Sequence, residues 1–282
     1  KINTWASIIG SIVFAFSGFS MSWLEWGTIA NTALWLPLIL LSTDKIVSST
    51  KNRKVFVWSL VYLFSMTSAF FAGHLQTFFY LFIFSSIYFF AKWVQVGWQK
   101  KILFLFLILN SLLIILTAVQ WVPTLRFILL SARNVDQVGF NSPGWFVPWQ
   151  NLIQFIAPDF FGNPSTLNYW GIWNYGEFIA YVGILPLLMA IFAIFFRHDR
   201  KTLFFGTMFF LSLIFALPTI FAKIPFTLNI SFISTSQPTR LLFVVDFSLS
   251  VLAAFGFDYF IRSKKKEILY PLIFIAFILL GF

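Results

Sequence analysis

Cysteine is absent from this chain of 282 residues, and histidine occurs only twice. Without thiols the protein has neither a disulfide framework nor cysteine chemistry, and two histidines alone do not make a conventional zinc site. Charged side chains are also scarce, at 10% of residues against about a quarter in soluble domains. The composition therefore argues against a redox protein, a zinc enzyme and a soluble globular domain.

Apolar residues take the place of the missing charges. They make up 60% of the chain, and the mean hydropathy is +0.88. Apolar runs bounded by basic or polar clusters recur, and runs of about 20 residues can cross roughly 30 Å of hydrocarbon as helices. The pattern predicts an all-α integral membrane protein, a polytopic bundle of about nine spans in one membrane domain covering residues 1–282. The predicted spans are 6–22, 28–43, 55–72, 75–91, 102–122, 178–196, 202–221, 240–261 and 268 onward.

The distribution of basic residues predicts the orientation. If alternate connections between spans lie in the cytoplasm, they hold all but four of the 19 Lys and Arg residues, the exceptions being Arg126, Arg133, Lys223 and Arg240. Cytoplasmic loops of membrane proteins carry an excess of Lys and Arg, so these connections are predicted to lie in the cytoplasm. The net charge of +10 is spread over short loops, which predicts contact with membrane lipids and no binding to nucleic acid.

Residues 123–177 are too irregular and polar to span lipid, and the orientation places this large loop outside the cytoplasm. The loop is rich in tryptophan, proline and glycine. Two parts, 123–135 and 149–157, have the pattern of short interfacial helices. Because charges and aromatic rings are concentrated here, we expect the functional site on this side of the membrane.

Ionisable and hydrogen-bonding groups converge on the predicted outer face. Acids could bind a divalent metal such as Mg²⁺ or Mn²⁺ or accept a proton from a hydroxyl, and arginines could hold phosphate oxygens. This set fits transfer from a phosphate-linked donor. Its members are Glu25, His74, Gln76, Arg126, Arg133, Asp136, Asp159, Asn174, Glu177 and Arg240.

Each candidate also has a structural interpretation. Glu25 could be a solvated interfacial carboxylate, His74 a hairpin cap, and Asp159 a turn cap, while Arg133 and Asp136 could form a surface ion pair. Arg240 requires a partner, because an arginine at mid-helix in lipid costs roughly 2.5 to 3.5 kcal/mol. Asp246, about two turns deeper, could be that partner or a structural acid of the bundle.

Several short motifs resemble the bacterial YfhO family of membrane proteins, and the similarity covers nearly the whole chain. It is most specific over 157–187. The motifs are Gly73-His74-Leu75-Gln76, the run 157–164 (APDFFGNP), Tyr169-Trp170-Gly171, Asn174-Tyr175-Gly176-Glu177, the run 181–187 (YVGILPL) and Gln237-Pro238-Thr239-Arg240.

The resemblance implies membership of the GT-C glycosyltransferases, which have many spans and use a polyprenyl-phosphate sugar on the outer face of the bacterial cell membrane. The acceptor would be a cell-envelope glycan or lipid. The GT-C pattern places an essential aspartate, the general base, in the first outer loop. That loop is expected upstream of Lys1, so the chain is expected to be an internal fragment that is inactive alone.

The transferase hypothesis assigns roles to individual residues, and its catalytic candidates are Glu25, His74, Asp159 and Glu177. Arg240 would hold the donor phosphate, with Arg126 and Arg133 as further candidates, and Gln76 and Tyr175 would bind substrate. Glu25 and Asp159 would assist a metal or position the acceptor. His74 and Glu177 would line the cleft.

Two other functions remain open. A flippase or exporter of lipid-linked saccharides would involve no covalent chemistry, but transporters usually bury ionisable groups at mid-membrane and carry internal repeats. Only Asp246 is clearly deep here, and no repeat is visible in the sequence. An outer-leaflet glycopolymer ligase or polymerase is the third possibility.

The absence of cysteine makes the predicted orientation testable by single-cysteine labelling. We expect a membrane-impermeant thiol reagent added to intact cells to label Trp145→Cys in the large loop. The same reagent should not reach Asp199→Cys, which belongs to a connection predicted to be cytoplasmic. Labelling of position 199 with protection of position 145 would reverse the orientation and place the proposed site on the wrong surface.

Overall fold

The computed structural model describes residues 2–130, 140, 142–230, 233, 236–263, 273, 276 and 277. These residues form α-helices, short 3₁₀ turns and loops and contain no strand, which confirms the predicted all-α class. The α-helices are α1 (Thr4–Ala15), α2 (Gly18–Ser22), α3 (Thr28–Ala33), α4 (Leu36–Ser48), α5 (Asn52–Phe71), α6 (Leu75–Gln95), α7 (Lys100–Leu130), α8 (Ile184–Phe196), α9 (Arg200–Ala216), α10 (Ile220–Thr227) and α11 (Leu242–Arg262).

The number of spans supported by length and hydropathy is lower than the nine predicted. Among the described residues five helical segments qualify, or six if α9 and α10, bent by 61°, count as one span. The predicted span 28–43 is divided into α3 and α4, and α8 has only 13 residues, or about 20 Å of helix. The ninth prediction, 268 onward, falls mostly outside the described residues.

The chain divides into two compact units, which are described separately. The first unit comprises Lys1–Glu25 with Phe140–Phe282, and the second comprises Trp26–Gly139. The single membrane domain expected from the sequence stays a prediction.

Helix α11 is the centre of the first unit. Most of its residues are buried, and it packs against α1, α8 and α9. The ring of Phe247 lies 5.1 Å from that of Phe14 in α1 and 6.0 Å from that of Phe205 in α9. A helix that is largely apolar on all sides is expected at the middle of a bundle, so α11 fixes the positions of its neighbours.

The second unit contains α3 to α7, with α4 packed on α5 and α6, and α5 packed on α7. Two polar contacts connect helices of this unit. Asp44 of α4 forms an ion pair of 2.5 Å with Lys92 of α6, and Tyr62 of α5 donates a hydrogen bond of 3.3 Å to Asn110 of α7. These contacts satisfy polar groups between otherwise apolar helices.

The large loop begins later than predicted. Pro123 lies inside α7, which continues to Leu130, so residues 123–130 extend a long helix and do not form a separate interfacial one. One proline removes a single backbone hydrogen bond, and the neighbouring Thr124 hydroxyl adds one of 2.7 Å to the Gln120 carbonyl. The second predicted element is confirmed as the 3₁₀ helix Trp149–Phe155, followed by the 3₁₀ turns Pro164–Thr166 and Tyr175–Glu177.

Close packing of α11 against α8 depends on Gly256. A Cβ at this position would collide with the backbone of Met189, whereas a Cβ at Gly206 of α9 would meet no atom closer than 3.9 Å. We expect Gly256→Ala to lower the free energy of unfolding by about 1 to 3 kcal/mol through overpacking. Gly206→Ala is the matched control, and it should be neutral or slightly stabilising because alanine favours helix.

Thermal unfolding of both purified variants in the same detergent measures the difference. Equal midpoints for the two variants would contradict the close approach of α8 and α11.

Candidate functional site

A buried ion pair joins the large loop to the start of α11. Arg240 donates from Nη2 to Glu177 Oε1 at 2.9 Å and from Nη1 to Glu177 Oε2, so the pair is bidentate. The Thr239 hydroxyl donates a further hydrogen bond of 2.8 Å to Glu177 Oε2. Glu177 is 6% exposed and Arg240 8%. Bidentate guanidinium–carboxylate pairs are among the strongest and most directional polar contacts in proteins.

Local backbone structure brings the two charges together. Arg240 belongs to the 3₁₀ turn Pro238–Leu241 that leads into α11, and Pro238 occupies its first position, where a fixed φ favours such a turn. Glu177 ends the turn Tyr175–Glu177, whose first residues are held by the Asn174 side chain accepting from the Gly176 N–H at 3.1 Å. The Pro238 ring at one turn and the Asn174 cap at the other therefore help to set where the charges meet.

The guanidinium of Arg240 also stacks on an aromatic ring. Its Cζ lies 4.4 Å from the ring centroid of Trp23, which is buried directly after α2. Cation–π contacts of this kind are stronger when they are shielded from water. One guanidinium N–H, that of Nε, is buried and has no hydrogen-bond partner among the described residues. The arginine is thus fixed by Glu177 and Trp23 but keeps one unused donor.

Asp246 does not serve as the partner of Arg240. Its Oδ2 accepts a hydrogen bond of 3.1 Å from the backbone N–H of Phe19 at the start of α2, and the residue is fully buried. Of the two interpretations of Asp246, the structure shows the structural one. Asp246 holds α2 in place, and the Trp23 ring follows directly at the end of that helix.

A second polar cluster lies on the exposed side of the same turn. The Tyr175 hydroxyl donates to Asp159 Oδ1 at 2.5 Å, and the Asn163 amide donates to the same oxygen at 3.1 Å. Burial raises the pKa of the Tyr175 phenol, and the hydrogen bond to the Asp159 carboxylate raises it further. The phenol therefore stays protonated as a donor. Oδ2 of Asp159 accepts no hydrogen bond from the described residues.

Aromatic rings surround this exposed cluster. Trp170 and Trp173 are 66% and 64% exposed, and the Trp170 ring rests on Phe161 with 4.9 Å between centroids. The Tyr169 ring meets Tyr175 edge to face at 5.8 Å. Trp170 therefore presents an exposed apolar ring that rests on Phe160 and Phe161, the two residues that follow Asp159.

Four of the predicted site residues, Asp159, Tyr175, Glu177 and Arg240, are therefore connected through one turn of the first unit. Glu25 also belongs to this unit. It is exposed two residues beyond Trp23 and forms no ion pair with any described residue.

Three other predicted residues, His74, Gln76 and Arg126, belong to the second unit. The Nδ1 of His74 accepts from the Thr77 N–H at 3.1 Å as the N-cap of α6, which is the capping interpretation given above. Gln76 is half-buried near the start of α6, and Arg126 is exposed on α7. Arg133 and Asp136 lie outside the described residues.

Three further residues join the site without having been singled out as site residues from the sequence. Thr239 and Asn163 occur inside the motifs that resemble a known family, and that resemblance is the sequence signal that could have identified them. The stacking of Trp23 on Arg240 links positions more than 200 residues apart, and no local pattern indicates it.

Together the helices and this site define a multi-pass all-α membrane protein with polar groups organised where a large loop meets a central helix. Residues 1–282 match the family described as bacterial membrane protein YfhO, and the chain belongs to that family. No curated protein and no solved structure matched the chain.

The buried ion pair predicts strong coupling between its members. Arg240→Gln or Glu177→Gln alone leaves an uncompensated buried charge, and each should cost about 3 to 5 kcal/mol of stability. The double variant should cost clearly less than the sum of the two single variants. Thermal unfolding of the four proteins in one detergent gives the coupling energy.

Arg262→Gln, at the other end of α11, is the matched control. Its side chain is largely exposed, and its partner Asp258 also receives Arg197 and the Asn3 N–H. We expect at most about 1 kcal/mol there. Additive costs at positions 177 and 240 would show that the two side chains do not interact.

Proposed function

We propose that the protein is a membrane glycosyltransferase that moves a sugar from a polyprenyl-phosphate donor to a cell-envelope glycopolymer or lipid on the extracytoplasmic face. Membership of the YfhO family and the resemblance to GT-C enzymes support the class of reaction. The local geometry of the first unit supports the location of the site.

One observation carries the proposal. The turn Tyr175–Glu177 places an exposed carboxylate–phenol pair and a buried arginine–carboxylate pair side by side. A transferase for a phosphate-linked sugar needs an acid that handles the acceptor hydroxyl and a cationic donor that handles the phosphate. Both kinds of group are present here, and each is held by a residue of that turn.

Binding of the acceptor hydroxyl is assigned to Asp159. In the reaction the acceptor oxygen forms a bond to the sugar C1, the C1–O bond to the phosphate breaks, and polyprenyl phosphate leaves. Asp159 Oδ2 accepts the hydrogen bond of the acceptor hydroxyl and orients it, while Tyr175 and Asn163 hold Oδ1. The hydroxyl proton passes to a general base, for which the GT-C resemblance implies an aspartate of another outer loop.

Binding of the donor phosphate is assigned to Arg240. Its Nε–H lacks an acceptor, and a phosphate oxygen is an acceptor of suitable charge. Glu177 and Trp23 set the plane of the guanidinium, so the direction of that donor is fixed in advance. The exposed faces of Trp170 and Trp173 offer apolar surface for the sugar, as aromatic walls do in many ligand sites.

A divalent metal is not assigned to this site. Among the described residues no three His, Cys, Asp or Glu side chains are grouped to hold a metal ion. Asp159 provides one carboxylate, with an amide and a phenol beside it, and Mg²⁺ usually needs more oxygen ligands of that charge. No step of the proposed reaction passes through a metal.

Asp159→Asn tests the proposal without disturbing the buried pair. Loss of a charge-assisted hydrogen bond to the acceptor should cost about 1.5 to 3 kcal/mol, or roughly 10- to 100-fold in kcat/KM. The full-length protein, reconstituted in liposomes, is supplied with radiolabelled polyprenyl-phosphate hexoses and an envelope fraction as acceptor. Transfer of label is measured per folded protein.

Asp44→Asn is the matched control, because it makes the same chemical change in the second unit at an ion pair with Lys92. It should transfer sugar at the parental rate. Label that crosses the bilayer without being transferred would indicate a flippase, and transfer only from a diphosphate-linked donor would indicate a ligase or polymerase. Either result, or unchanged envelope glycan in cells carrying Glu25→Ala with Arg240→Ala, would overturn the proposal.

A further inference from the structure

A cavity of about 430 Å³ lies at the turn between α8 and α9, apart from the site already described. One wall is polar and contains Arg197, His198, Arg200 and Thr202. The other is apolar and contains Ile194, Leu203 and Phe210. The cavity therefore pairs cationic groups with a hydrophobic face.

The charges at this cavity do not cancel. Arg197 is paired with Asp199 at 2.7 Å, lies 3.7 Å from Asp258 and stacks on Phe255. Burial alone would raise the pKa of Asp199, but hydrogen bonds from the Thr202 backbone and from Arg197 lower it overall. This acid therefore stays ionised as the N-cap of α9. Arg200 forms no ion pair with any described residue and leaves the rim positive.

A buried hydroxyl adds an unused polar group. Thr202 is 3% exposed, and its Oγ1, although close enough to the Asp199 carboxylate to stabilise its charge, has no partner of hydrogen-bond geometry among the described residues. A hydroxyl donor next to an unpaired guanidinium suits a phosphate ester. The Asp199 side chain already accepts the Lys201 and Thr202 N–H groups, so the α9 N-terminus contributes little by itself.

The apolar wall continues onto the exposed surface of α9. Leu203 is 72% exposed and Phe210, two turns further along α9, is 50% exposed. The turn also lies near Asp258, at the opposite end of α11 from Arg240, about 27 Å away at 1.5 Å per residue. That spacing places the cavity at a membrane boundary if α11 spans the bilayer.

We propose that this cavity binds the headgroup of an anionic phospholipid, with the phosphate at Arg200 and Thr202 and an acyl chain along Leu203 and Phe210. Basic pockets between membrane helices are suited to such headgroups. A soluble phosphate ester shares the headgroup chemistry but gains nothing from the apolar wall. The proposal is independent of the glycosyltransferase assignment, because no residue is common to the two sites.

Native mass spectrometry of the full-length protein, titrated with phosphatidylglycerol, gives the apparent Kd of the first bound lipid. Arg200→Gln should weaken it about five- to tenfold, as expected for loss of one charged contact. Gly206→Leu fills the cavity without changing charge, and it should weaken binding at least as much.

Arg53→Gln is the matched control, since Arg53 is an exposed arginine in the first turn of α5 that does not line this cavity. Its Kd should stay within about twofold of the parent. Equal increases of the apparent Kd for Arg53→Gln and Arg200→Gln would indicate diffuse electrostatic attraction to the protein surface and overturn the site. Equal binding of phosphatidylcholine, or displacement by millimolar glycerol phosphate, would overturn the anionic lipid assignment.

Discussion

The ion pair between Glu177 and Arg240 is the constraint on which the candidate site depends. Burial of two charges is costly, and the cost is offset only when geometry is good and the remaining polar groups are satisfied. Here the carboxylate has three hydrogen bonds and the guanidinium has an aromatic ring beneath it. Because either charge alone would be far less stable, the loop end and the start of α11 have to stay together.

The ion pair also affects the position of the exposed cluster, because the two are connected through the 3₁₀ turn Tyr175–Glu177. Such a turn has three residues per revolution, so residues two apart point about 120° away from each other. Glu177 can therefore face the interior while Tyr175 faces Asp159 and solvent. The position of the Asp159 carboxylate depends on the position of Glu177, a charge that is only 6% exposed, so an irregular loop can hold polar groups in fixed positions.

The sequence predicted the general architecture better than its details. Hydropathy indicated where membrane helices lie, because apolar runs report directly on the environment. It could not show that α3 and α4 are separate, or that Pro123 is accommodated inside α7, since neighbouring contacts decide both. The cost of an arginine near lipid predicted that Arg240 needs a partner. Asp246 was a reasonable candidate by spacing, but the partner is Glu177, 63 residues away in sequence. Long-range pairing of this kind leaves no periodic signal.

The scarcity of charge gives each described ionisable residue of the first unit a restricted set of roles. Inside the bundle, Asp246 accepts a backbone N–H, and at the two ends of α11 Arg240 and Asp258 are paired with opposite charges. These contacts leave Oδ1 of Asp246 buried without a partner among the described residues. Three other groups also lack partners there: Asp159 Oδ2, the Nε–H of Arg240 and the guanidinium of Arg200. Polar groups that folding does not require can bind ligands, and they are therefore the candidates for function in such an apolar chain.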